Sequence, residues 1–375
     1  MGEPLKVGVV GVGTISRTYL DTMTRLPGLN VVAAADLDVA RAKAAAEKYD
    51  GIRALTPDEL YADSDVDLVV NLTIPAAHAS VAIAALSAGK HVYGEKPLAA
   101  TRQEARLVLE AAEQAGLRIG CAPDTVLGTG VQTARALLDQ GAIGTPTAAT
   151  AFFVSPGPEP WHPDPEFYYK PGGGPLLDMG PYYLSALVTL LGPVERVTGR
   201  VSRAYAEREV GSGPKQGTRF GVDVDTHVTG ILEHESGLLS TVIMSFDVWA
   251  ARLPRIELYG TEGAMSVPDP NNFSGDAELF SPTSKEWSVA PVAGGYADSA
   301  RGYGVADMAR ALETGEQHRA NGELAFHVLD VMESLLESAG ADPVAGAVGE
   351  PSTVTVESTV ERPSAVPLGA TPDVA

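Results

Sequence analysis

Short apolar runs alternate with amphipathic segments through the first third of the chain. Segments such as TRQEARLVLEAAEQAG carry apolar residues at helical spacing, and the runs between such segments are KVGVVG, NVVAAAD, DLVVNL, KHVYGEK and RIGCAP. Apolar strands separated by helices are typical of a parallel sheet that helices cover on both faces. The pattern predicts an α/β fold whose N-terminal, doubly wound domain occupies residues 1–124.

The pattern changes after about residue 145. Runs rich in Val, Thr and aromatic residues follow one another with short turns: TAATAFFV, VERVTGRVSRAY, THVTGILEH, GLLSTVIMSF and RIELYG. One helical segment, PLLDMGPYYLSALVTLLG, precedes most of these runs, and two more follow them near residues 305–313 and 322–339. We predict a second, α+β domain over residues 125–340 with a large, mostly antiparallel, open-faced sheet. We also expect one helix of this region to pack back on the first domain. Residues 341–375 are rich in Pro, Val, Ala, Thr and Ser, which predicts a disordered tail.

The charge of the chain excludes several classes of partner. Its 27 basic and 48 acidic residues give a formal net charge of −21, which repels nucleic-acid phosphates and anionic lipid surfaces. The single cysteine, Cys121, provides neither a disulfide framework nor a thiolate cluster for a metal, so no metal site is expected. No apolar run approaches the roughly 20 residues that span a bilayer, and no signal-peptide cleavage pattern is seen. We expect a cytoplasmic protein that acts on a small molecule.

A dinucleotide-binding fingerprint follows the first apolar run. Gly11, Gly13 and Ser16 form the pattern G-x-G-x-x-small, with Thr14 and Ile15 between the last two. The first glycine allows a tight turn, the second lets a pyrophosphate approach the main chain, and the small residue permits close helix packing. The alternative is a glycine-rich turn without a ligand.

A carboxylate at the end of the second run strengthens the cofactor prediction. Asp36 stands 20 residues after Ser16, where it can accept hydrogen bonds from adenosine ribose hydroxyls. It is followed by Leu37 and Asp38 rather than by a basic residue, so a 2′-phosphate would meet negative charge. The sequence therefore predicts a Rossmann domain that binds NAD in preference to NADP, although nearby Arg41 weakens that preference.

Lys96 lies at the end of a predicted strand, between Glu95 and Pro97. Ligands of open α/β sheets bind beyond the carboxyl ends of the strands, and a following proline keeps the preceding residue extended. Close to the positive nicotinamide of NAD, the ammonium form of a lysine is disfavoured, so its pKa moves towards the range of a general base. We predict that Lys96 is the catalytic acid/base and that Glu95 positions it or the nicotinamide ribose. The alternative is a surface lysine or a salt bridge between Lys96 and Glu95.

The sequence resembles the Gfo/Idh/MocA family of oxidoreductases over roughly residues 5–340. The residues that carry the resemblance are the fingerprint, Thr73, Pro75 and His78 in T-x-P-x-x-H, AGKHV at 88–92, Glu95-Lys96-Pro97, and GGGPLLDMG at 172–180. The resemblance implies a cis peptide before Pro97, a cofactor crevice lined by Thr73 and Pro75, and a homo-oligomer, dimer or tetramer, formed through the open sheet. His78 is either a cofactor contact or a capping or packing residue.

The second-domain motif departs from that family at one position. Asp178 and Tyr182 are four residues apart and share a helix face, whereas the family has D-x-G-x-H with a histidine at the position of Tyr182. A phenol, with a reference pKa of about 10, is a hydrogen-bond donor at neutral pH but a poor base. We predict that both residues orient the substrate hydroxyl and that Lys96 carries the proton transfer. The alternatives are an N-cap role for Asp178 and a core position for Tyr182.

Further candidates for substrate binding lie in two loops. The segment EPWHPDPEFYYK contains Trp161, His162 and Tyr168, whose aromatic faces suit the apolar C–H faces of a pyranose ring. His162 is a candidate for the missing imidazole, with a packed loop histidine as the alternative. Asp124, after the last strand of the first domain, is predicted to hold a sugar hydroxyl, with helix capping as the alternative.

These residues favour an NAD-dependent dehydrogenase that oxidises a secondary hydroxyl of a sugar, glycoside or polyol. The family resemblance also implies one alternative, an NAD-dependent glycosidase that works by transient oxidation and elimination. The other is a non-catalytic, nucleotide-sensing regulator, since a fold does not determine a function.

Overall fold

The computed structural model describes residues 3–340, 350 and 352–372. Two compact units make up this part of the chain, and the predicted fold class is confirmed for both. The first unit consists of residues 3–132, 293–326 and 363–372, and the second of residues 133–292 and the described part of 327–362.

A six-stranded parallel sheet in the order β3-β2-β1-β4-β5-β6 forms the centre of the first unit. Its strands are β1 (Leu5–Val10), β2 (Leu29–Ala35), β3 (Arg53–Leu55), β4 (Leu68–Asn71), β5 (His91–Gly94) and β6 (Ile119–Cys121). The helices that alternate with them are α1 (Ser16–Met23), α2 (Val39–Lys48), α3 (Pro57–Ala62), α4 (Pro75–Ser87) and α5 (Arg102–Ala115). All five strands predicted in this region are found. The prediction missed β3, a three-residue edge strand that includes an exposed Arg53 and carries no apolar run.

Local sequence signals begin and end these helices. Thr56 and Glu59 form a capping box at the start of α3, since each side chain bonds the backbone N–H of the other. Thr101 accepts a bond from the N–H of Glu104 at the start of α5, and Gly116 ends that helix in a left-handed conformation with φ of 65°. These side chains satisfy backbone groups that the helix ends would otherwise leave open.

A nine-stranded sheet in the order β16-β15-β14-β13-β7-β12-β11-β8-β17 forms the second unit. Its strands are β7 (Pro146–Val154), β8 (Val194–Ser202), β11 (His227–His234), β12 (Leu239–Ser245), β13 (Ile256–Gly260), β14 (Ala264–Val267), β15 (Glu278–Ser281), β16 (Glu286–Val289) and β17 (Thr353–Thr355). The short pair β9 (Glu207–Glu209) and β10 (Arg219–Gly221) lies outside this sheet. Among the described strands of this sheet, only β7 and β12 run parallel, and every other neighbouring pair runs antiparallel. The prediction of a mostly antiparallel sheet is therefore confirmed.

Helices cover one face of this sheet. In the part of the chain that the structure describes, the other α-helices are α6 (Thr129–Asp139), α7 (Pro175–Leu191), α8 (Tyr303–Thr314) and α9 (Gly322–Ser338). α7 packs on β7, β11 and β12. Gly199 and Gly230 leave room for Leu335 of α9, because a Cβ on either glycine would lie within 2.8 Å of the Leu335 side chain. Ile231 and Leu239 remain 48% and 49% exposed.

The unit boundaries differ from the predicted division at residues 124 and 125. Residues 125–132 and 293–326, including α8, belong to the first unit. The reason is packing: α8 contacts α1 and β6, and Val305, Ala306 and Met308 are part of the apolar core of the parallel sheet. A stretch late in the sequence therefore completes the N-terminal unit.

The predicted disordered tail is wrong for residues 352–372. β17 pairs with β8 in register, and the N–H of Val356 continues the pairing to the carbonyl of Glu195. Further along, Val366 is 1% exposed and packs with Val126, Leu127 and Tyr296. The Pro- and Ala-rich composition concealed a Thr-Val-Thr strand and single apolar residues that each have a buried position. Residues 341–349, 351 and 373–375 lie outside the described residues. No helix of the described chain is long and apolar enough to cross a membrane.

Candidate functional site

The turn between β1 and α1 has the geometry of a phosphate cradle. Gly11 has φ of +94°, and a Cβ there would lie 2.7 Å from the backbone carbonyl carbon of Leu72, so only glycine fits. A Cβ on Gly13 would meet nothing within 4 Å, which shows open space above the main chain. Because no side chain caps α1 at Ile15, the helix N-terminus can donate its N–H groups to an anion beside exposed Thr14.

Asp36 connects the end of β2 to that turn. Its Oδ2 accepts a bond of 2.8 Å from the N–H of Val12, and its Oδ1 accepts one of 2.9 Å from the N–H of Asp38. Each carboxylate oxygen has a second lone pair, so the group can also accept bonds from ribose hydroxyls. These observations fit a dinucleotide on this edge of the sheet.

Two exposed apolar side chains at the same edge of the sheet were not predicted as site residues. Leu37 follows β2 and is 93% exposed, and Ile74 follows β4 and is 70% exposed. Since β2 and β4 are the two neighbours of β1, these side chains stand on either side of the cradle strand. The flat face of an aromatic base such as adenine would cover such surfaces. The available signal was an apolar residue in the loop within three residues of the end of each strand.

Lys96 follows β5, half-buried, with a cis peptide bond to Pro97. The cis bond that the resemblance implied is therefore confirmed. The backbone N–H of Lys96 donates to Oε2 of Glu95 at 3.0 Å. The main chain that carries the lysine is thus fixed by the preceding side chain.

The Glu95 carboxylate lies in the interior of the unit, with its side chain 12% exposed. Its Oε1 accepts a bond of 2.8 Å from the Tyr19 hydroxyl and lies 3.5 Å from Nη1 of Arg301. Burial, with a further contribution from the charge of Glu95, raises the pKa of Tyr19 well above its ordinary value, so Tyr19 stays a donor. These contacts support the role of positioning Lys96 that was predicted for Glu95.

His78 is 2% exposed and contacts both the loop after β4 and the loop after β5. Its Nδ1 is 2.6 Å from the carbonyl oxygen of Pro97, and its Nε2 is 3.0 Å from the carbonyl oxygen of Thr73. Burial lowers the pKa of His78, and a neutral imidazole donates through only one nitrogen. Because both ring nitrogens face main-chain oxygens, the geometry supports the packing alternative rather than a direct cofactor contact.

Asn71, which the sequence reasoning missed, completes this network. Its Oδ1 accepts a bond of 2.6 Å from the Thr73 hydroxyl, and its Nδ2 donates to the His78 carbonyl at 3.0 Å. Asn71 is 1% exposed. Thr73 is half-buried and Pro75 is exposed as the first residue of α4, so both remain placed beside the cradle.

Asp124 does not lie on an open crevice, and the predicted sugar contact is wrong on that point. Its side chain is 0% exposed, and its Oδ2 accepts bonds from the N–H groups of Gly302 at 2.8 Å and Gly304 at 3.1 Å. Both N–H groups lie at the start of α8, so the Asp124 carboxylate bonds the beginning of that distant helix. Asp124 Oδ1 has no hydrogen-bond partner among the described residues. Burial is the main reason that the pKa of Asp124 rises to about 6.

Asp178 and Tyr182 occupy one face of α7, as predicted. The helix begins at Pro175 with Gly174 as N-cap, so Asp178 lies within the first turn and is not the cap. Pro181 stands inside the helix rather than in its first turn. Asp178 is half-buried, whereas Tyr182 is 5% exposed and packs largely in the core.

The aromatic residues of the loop before α7 form one cluster. The His162 ring lies 5.4 Å from that of Trp161 and 5.5 Å from that of Tyr168, centroid to centroid. Phe167, which was not predicted, joins them at 5.3 Å from His162 and is 58% exposed. Trp161 is 64% exposed, so this cluster presents an open aromatic surface.

A buried ion network holds that loop in place. The Arg208 guanidinium bonds Glu159 at 2.8 Å and also bonds Asp247, with all three side chains about nine-tenths buried. Glu159 in turn accepts a bond of 2.6 Å from the Tyr169 hydroxyl. Burial, and then the bond to Glu159, raise the pKa of Tyr169. No local sequence pattern predicts this network, because Arg208 and Glu159 are 49 residues apart in sequence.

Within the described residues, no group of three or more His, Cys, Asp and Glu side chains could hold a metal ion.

Comparison with known proteins matches both units. Residues 5–122 match the family model described as "Oxidoreductase family, NAD-binding Rossmann fold", and residues 131–266 match "GFO/IDH/MocA C-terminal domain". The two matches together cover well over half of the chain.

Named relatives and solved structures extend the likeness. The chain is 30% identical to 1,5-anhydro-D-fructose reductase of Ensifer adhaerens over 69% of this chain and 74% of that protein. It is 28% identical to D-xylose 1-dehydrogenase (NADP(+)) 2 of Haloferax volcanii over 88% of this chain and 96% of that protein. The structure of levoglucosan dehydrogenase in complex with NADH and L-sorbose covers 94% of this chain and 99% of its own, with a TM-score of 0.77 and 21% identity, which shows a shared fold.

Proposed function

Because the chain belongs to the GFO/IDH/MocA family of oxidoreductases, we propose that it is an NAD-dependent dehydrogenase of a sugar, glycoside or polyol. The reaction is the oxidation of a secondary hydroxyl to a ketone, or its reverse. The observation that carries the proposal is the fixed position of Lys96 at the carboxyl end of β5, on the same sheet edge as the phosphate cradle.

The cofactor is held by residues of the first unit. The main chain of Gly11, Gly13 and Thr14 cradles the pyrophosphate at the α1 N-terminus, and Asp36 accepts bonds from the adenosine ribose. When bound, NAD supplies the acceptor for the hydride that leaves the substrate carbon. Asp36 and Asp38 disfavour a 2′-phosphate, which supports NAD over NADP, while one relative uses NADP by name.

Lys96 carries the proton transfer. As the neutral amine it takes the proton of the substrate hydroxyl, and in the reverse direction the ammonium returns that proton to the carbonyl oxygen. Glu95 and His78 hold the main chain on either side of the lysine, through the Lys96 N–H and the Pro97 carbonyl. A general base must be held within hydrogen-bond reach of its proton, and these two contacts provide that rigidity.

Substrate recognition is assigned to the second unit. Asp178 accepts, and Tyr182 donates, hydrogen bonds to substrate hydroxyls from one face of α7. The aromatic cluster of Trp161, His162 and Tyr168 suits the apolar face of a sugar ring. Each of these three side chains also has a polar atom that can bond the hydroxylated rim: the indole N–H, an imidazole nitrogen and the phenol hydroxyl.

The open face of the nine-stranded sheet is the proposed surface for a homo-oligomer, dimer or tetramer. Ile231 and Leu239 are half-exposed on this sheet, which supports burial by a second copy. Light scattering after gel filtration measures the mass, and Ile231→Glu is expected to lower it to that of a monomer. A wild-type mass equal to one chain would refute this part.

The test of the enzymatic proposal is a panel of sugars, glycosides and polyols assayed at the NADH absorbance. Lys96→Met is expected to lower kcat by about 10²- to 10⁴-fold, the usual contribution of a general base, with little change in NAD affinity. Lys43→Met is the matched control, because Lys43 is exposed on α2. Wild-type turnover in Lys96→Met would exclude the mechanism. Aglycone release without net NADH would identify the glycosidase instead.

A further inference from the structure

We infer that Arg301 is a positioning residue for Lys96, acting through Glu95. The inference rests on the proposed function, because it concerns the amine that carries the proton transfer. Arg301 lies 206 residues beyond Glu95 in sequence, in the segment that leads into α8.

The main chain around Arg301 is held firmly. Asp124 accepts the N–H groups of Gly302 and Gly304, and Gly302 has φ of +104°, which favours glycine. A Cβ on Gly304 would lie 2.9 Å from the Cβ of Asp124 and would collide with the Tyr93 hydroxyl. The main chain can therefore adopt this path only with glycines on either side of Tyr303. Along this path the side chain of Arg301 lies beside Glu95.

The ion pair links that segment to the lysine. Nη1 of Arg301 lies 3.5 Å from Oε1 of Glu95, and the two side chains are 16% and 12% exposed. The second oxygen, Oε2, accepts the N–H of Lys96. Arg301 thus compensates the charge of a carboxylate that is fastened to the lysine main chain.

Charge compensation determines how readily Lys96 gives up its proton. An uncompensated carboxylate next to a lysine favours the ammonium form and raises the lysine pKa. With Arg301 in place, the field of Glu95 at Lys96 is reduced, so the neutral amine is reached at lower pH. A role in stability alone would not change the proton affinity of Lys96.

Other titratable groups around Glu95 must be separated from this effect. Those that sense its charge are Tyr19 on α1, His78 on α4, Tyr93 on β5, Cys121 on β6 and Asp124 before α6. Burial raises the pKa of the two tyrosines and the cysteine and lowers that of the histidine, so these groups are neutral near pH 7. Since the pKa of Asp124 is about 6, profiles measured from pH 7 upwards avoid its titration.

The experiment compares Arg301→Gln with Arg301→Lys and with Arg310→Gln. Arg310 is the matched control, since it lies on α8 and pairs with Glu316 instead of Glu95. In Arg301→Gln the acid limb of the kcat profile is expected to move up by about 0.5 to 1 pH unit, which lowers kcat about three- to tenfold on that limb. Arg301→Lys is expected to restore most of the shift, and Arg310→Gln to leave the profile unchanged.

A second readout needs neither cofactor nor turnover. Acetic anhydride acylates an amine only in its neutral form, so the pH dependence of Lys96 labelling, read by peptide mass spectrometry, reports the proton affinity of the amine directly. We expect the same upward shift for Lys96 in Arg301→Gln, with exposed Lys43 as the internal reference. The double variant Glu95→Gln/Arg301→Gln removes both charges, and its labelling profile is expected to match that of Glu95→Gln alone.

The outcomes separate this inference from the proposed function. An unshifted Lys96 profile in folded Arg301→Gln would overturn the inference, as would a loss of kcat that is equal at every pH and is not restored by lysine. If Arg301→Gln does not fold, the comparison of the double variant with Glu95→Gln decides, and a difference in labelling between them overturns the inference. If labelling shifts but Lys96→Met keeps wild-type turnover, the inference stands and the catalytic proposal fails.

Discussion

Replacement of Asp124 by asparagine is expected to change how the stability of the first unit depends on pH. The Asp124 side chain is 0% exposed, and one of its oxygens has no partner among the described residues. Burial is the largest cause that raises its pKa from 3.8 to about 6, against the opposing effects of Arg301 and of the two glycine N–H groups. Asparagine keeps an oxygen that accepts those N–H groups but cannot ionise.

The size and sign follow from the two pKa values. A folded-state pKa above the unfolded value means that the contribution of Asp124 is fully present below pH 3.8 and is lost as the pH rises through about 6. A shift of about 2 units corresponds to about 3 kcal/mol over the whole range, of which about 1.4 kcal/mol falls between pH 5 and pH 8. The free energy of unfolding of wild type minus that of Asp124→Asn should therefore decrease by about that amount between these two pH values.

The measurement is urea unfolding of both proteins at several pH values, followed by far-ultraviolet circular dichroism. All three tryptophans, Trp161, Trp249 and Trp287, belong to the second unit, so their fluorescence is unsuited to the first. Hydrogen exchange of the peptide that contains residues 302–308 gives a local value for the same difference. A constant difference from pH 5 to pH 8 would refute the account, whatever the absolute effect of the substitution. A difference that grows with pH would mean that the native carboxylate is stabilised rather than penalised.

Three further substitutions test other parts of the structure. Gly11→Ala is expected to abolish NAD binding, measured by calorimetric titration, because φ of +94° and a backbone contact at 2.7 Å exclude a Cβ; normal affinity would contradict this geometry. Arg208→Met leaves two buried carboxylates without their cation and should lower the free energy of unfolding, followed by tryptophan fluorescence, by about 3 to 5 kcal/mol. Arg219→Met is its control, since Arg219 forms an exposed pair worth at most about 1 kcal/mol, and equal effects of the two would disprove the assignment. Thr56→Ala removes the capping box of α3 and should cost about 1 kcal/mol in urea unfolding, whereas an unchanged midpoint would show that the cap contributes nothing.

The parallel sheet and its cofactor edge were predictable because their signals are local. The turn at Gly11, the carboxylate of Asp36 and the Lys96-Pro97 step each follow a strong apolar strand within a few residues. Short strands of the second unit were missed for the opposite reason. β16 is exposed at all four positions, so it has no apolar side to produce an alternating pattern.

Contacts between distant segments could not be read from the sequence. The surface position predicted for Asp124 was wrong because its hydrogen-bond partners lie 178 and 180 residues later in the sequence. No neighbouring residue indicates that this carboxylate is buried. No sequence pattern singles out Arg301, because a single arginine in a glycine-rich segment looks like any other surface arginine. The composition of residues 352–372 led to the wrong prediction of disorder. A few apolar residues there are buried and one short strand is paired, which is enough to order the chain.

The first unit is discontinuous along the chain, and this affects how it is made. Its sheet is finished by residue 121, but α8, the partners of Asp124 and Val366, which packs on Val126 and Leu127, are translated much later. We therefore expect that a nascent chain cannot acquire a fully formed nucleotide-binding unit until the ribosome has passed residue 366. A fragment that stops at residue 132 would leave the apolar surface beneath α8 exposed to water, so it should aggregate rather than bind NAD.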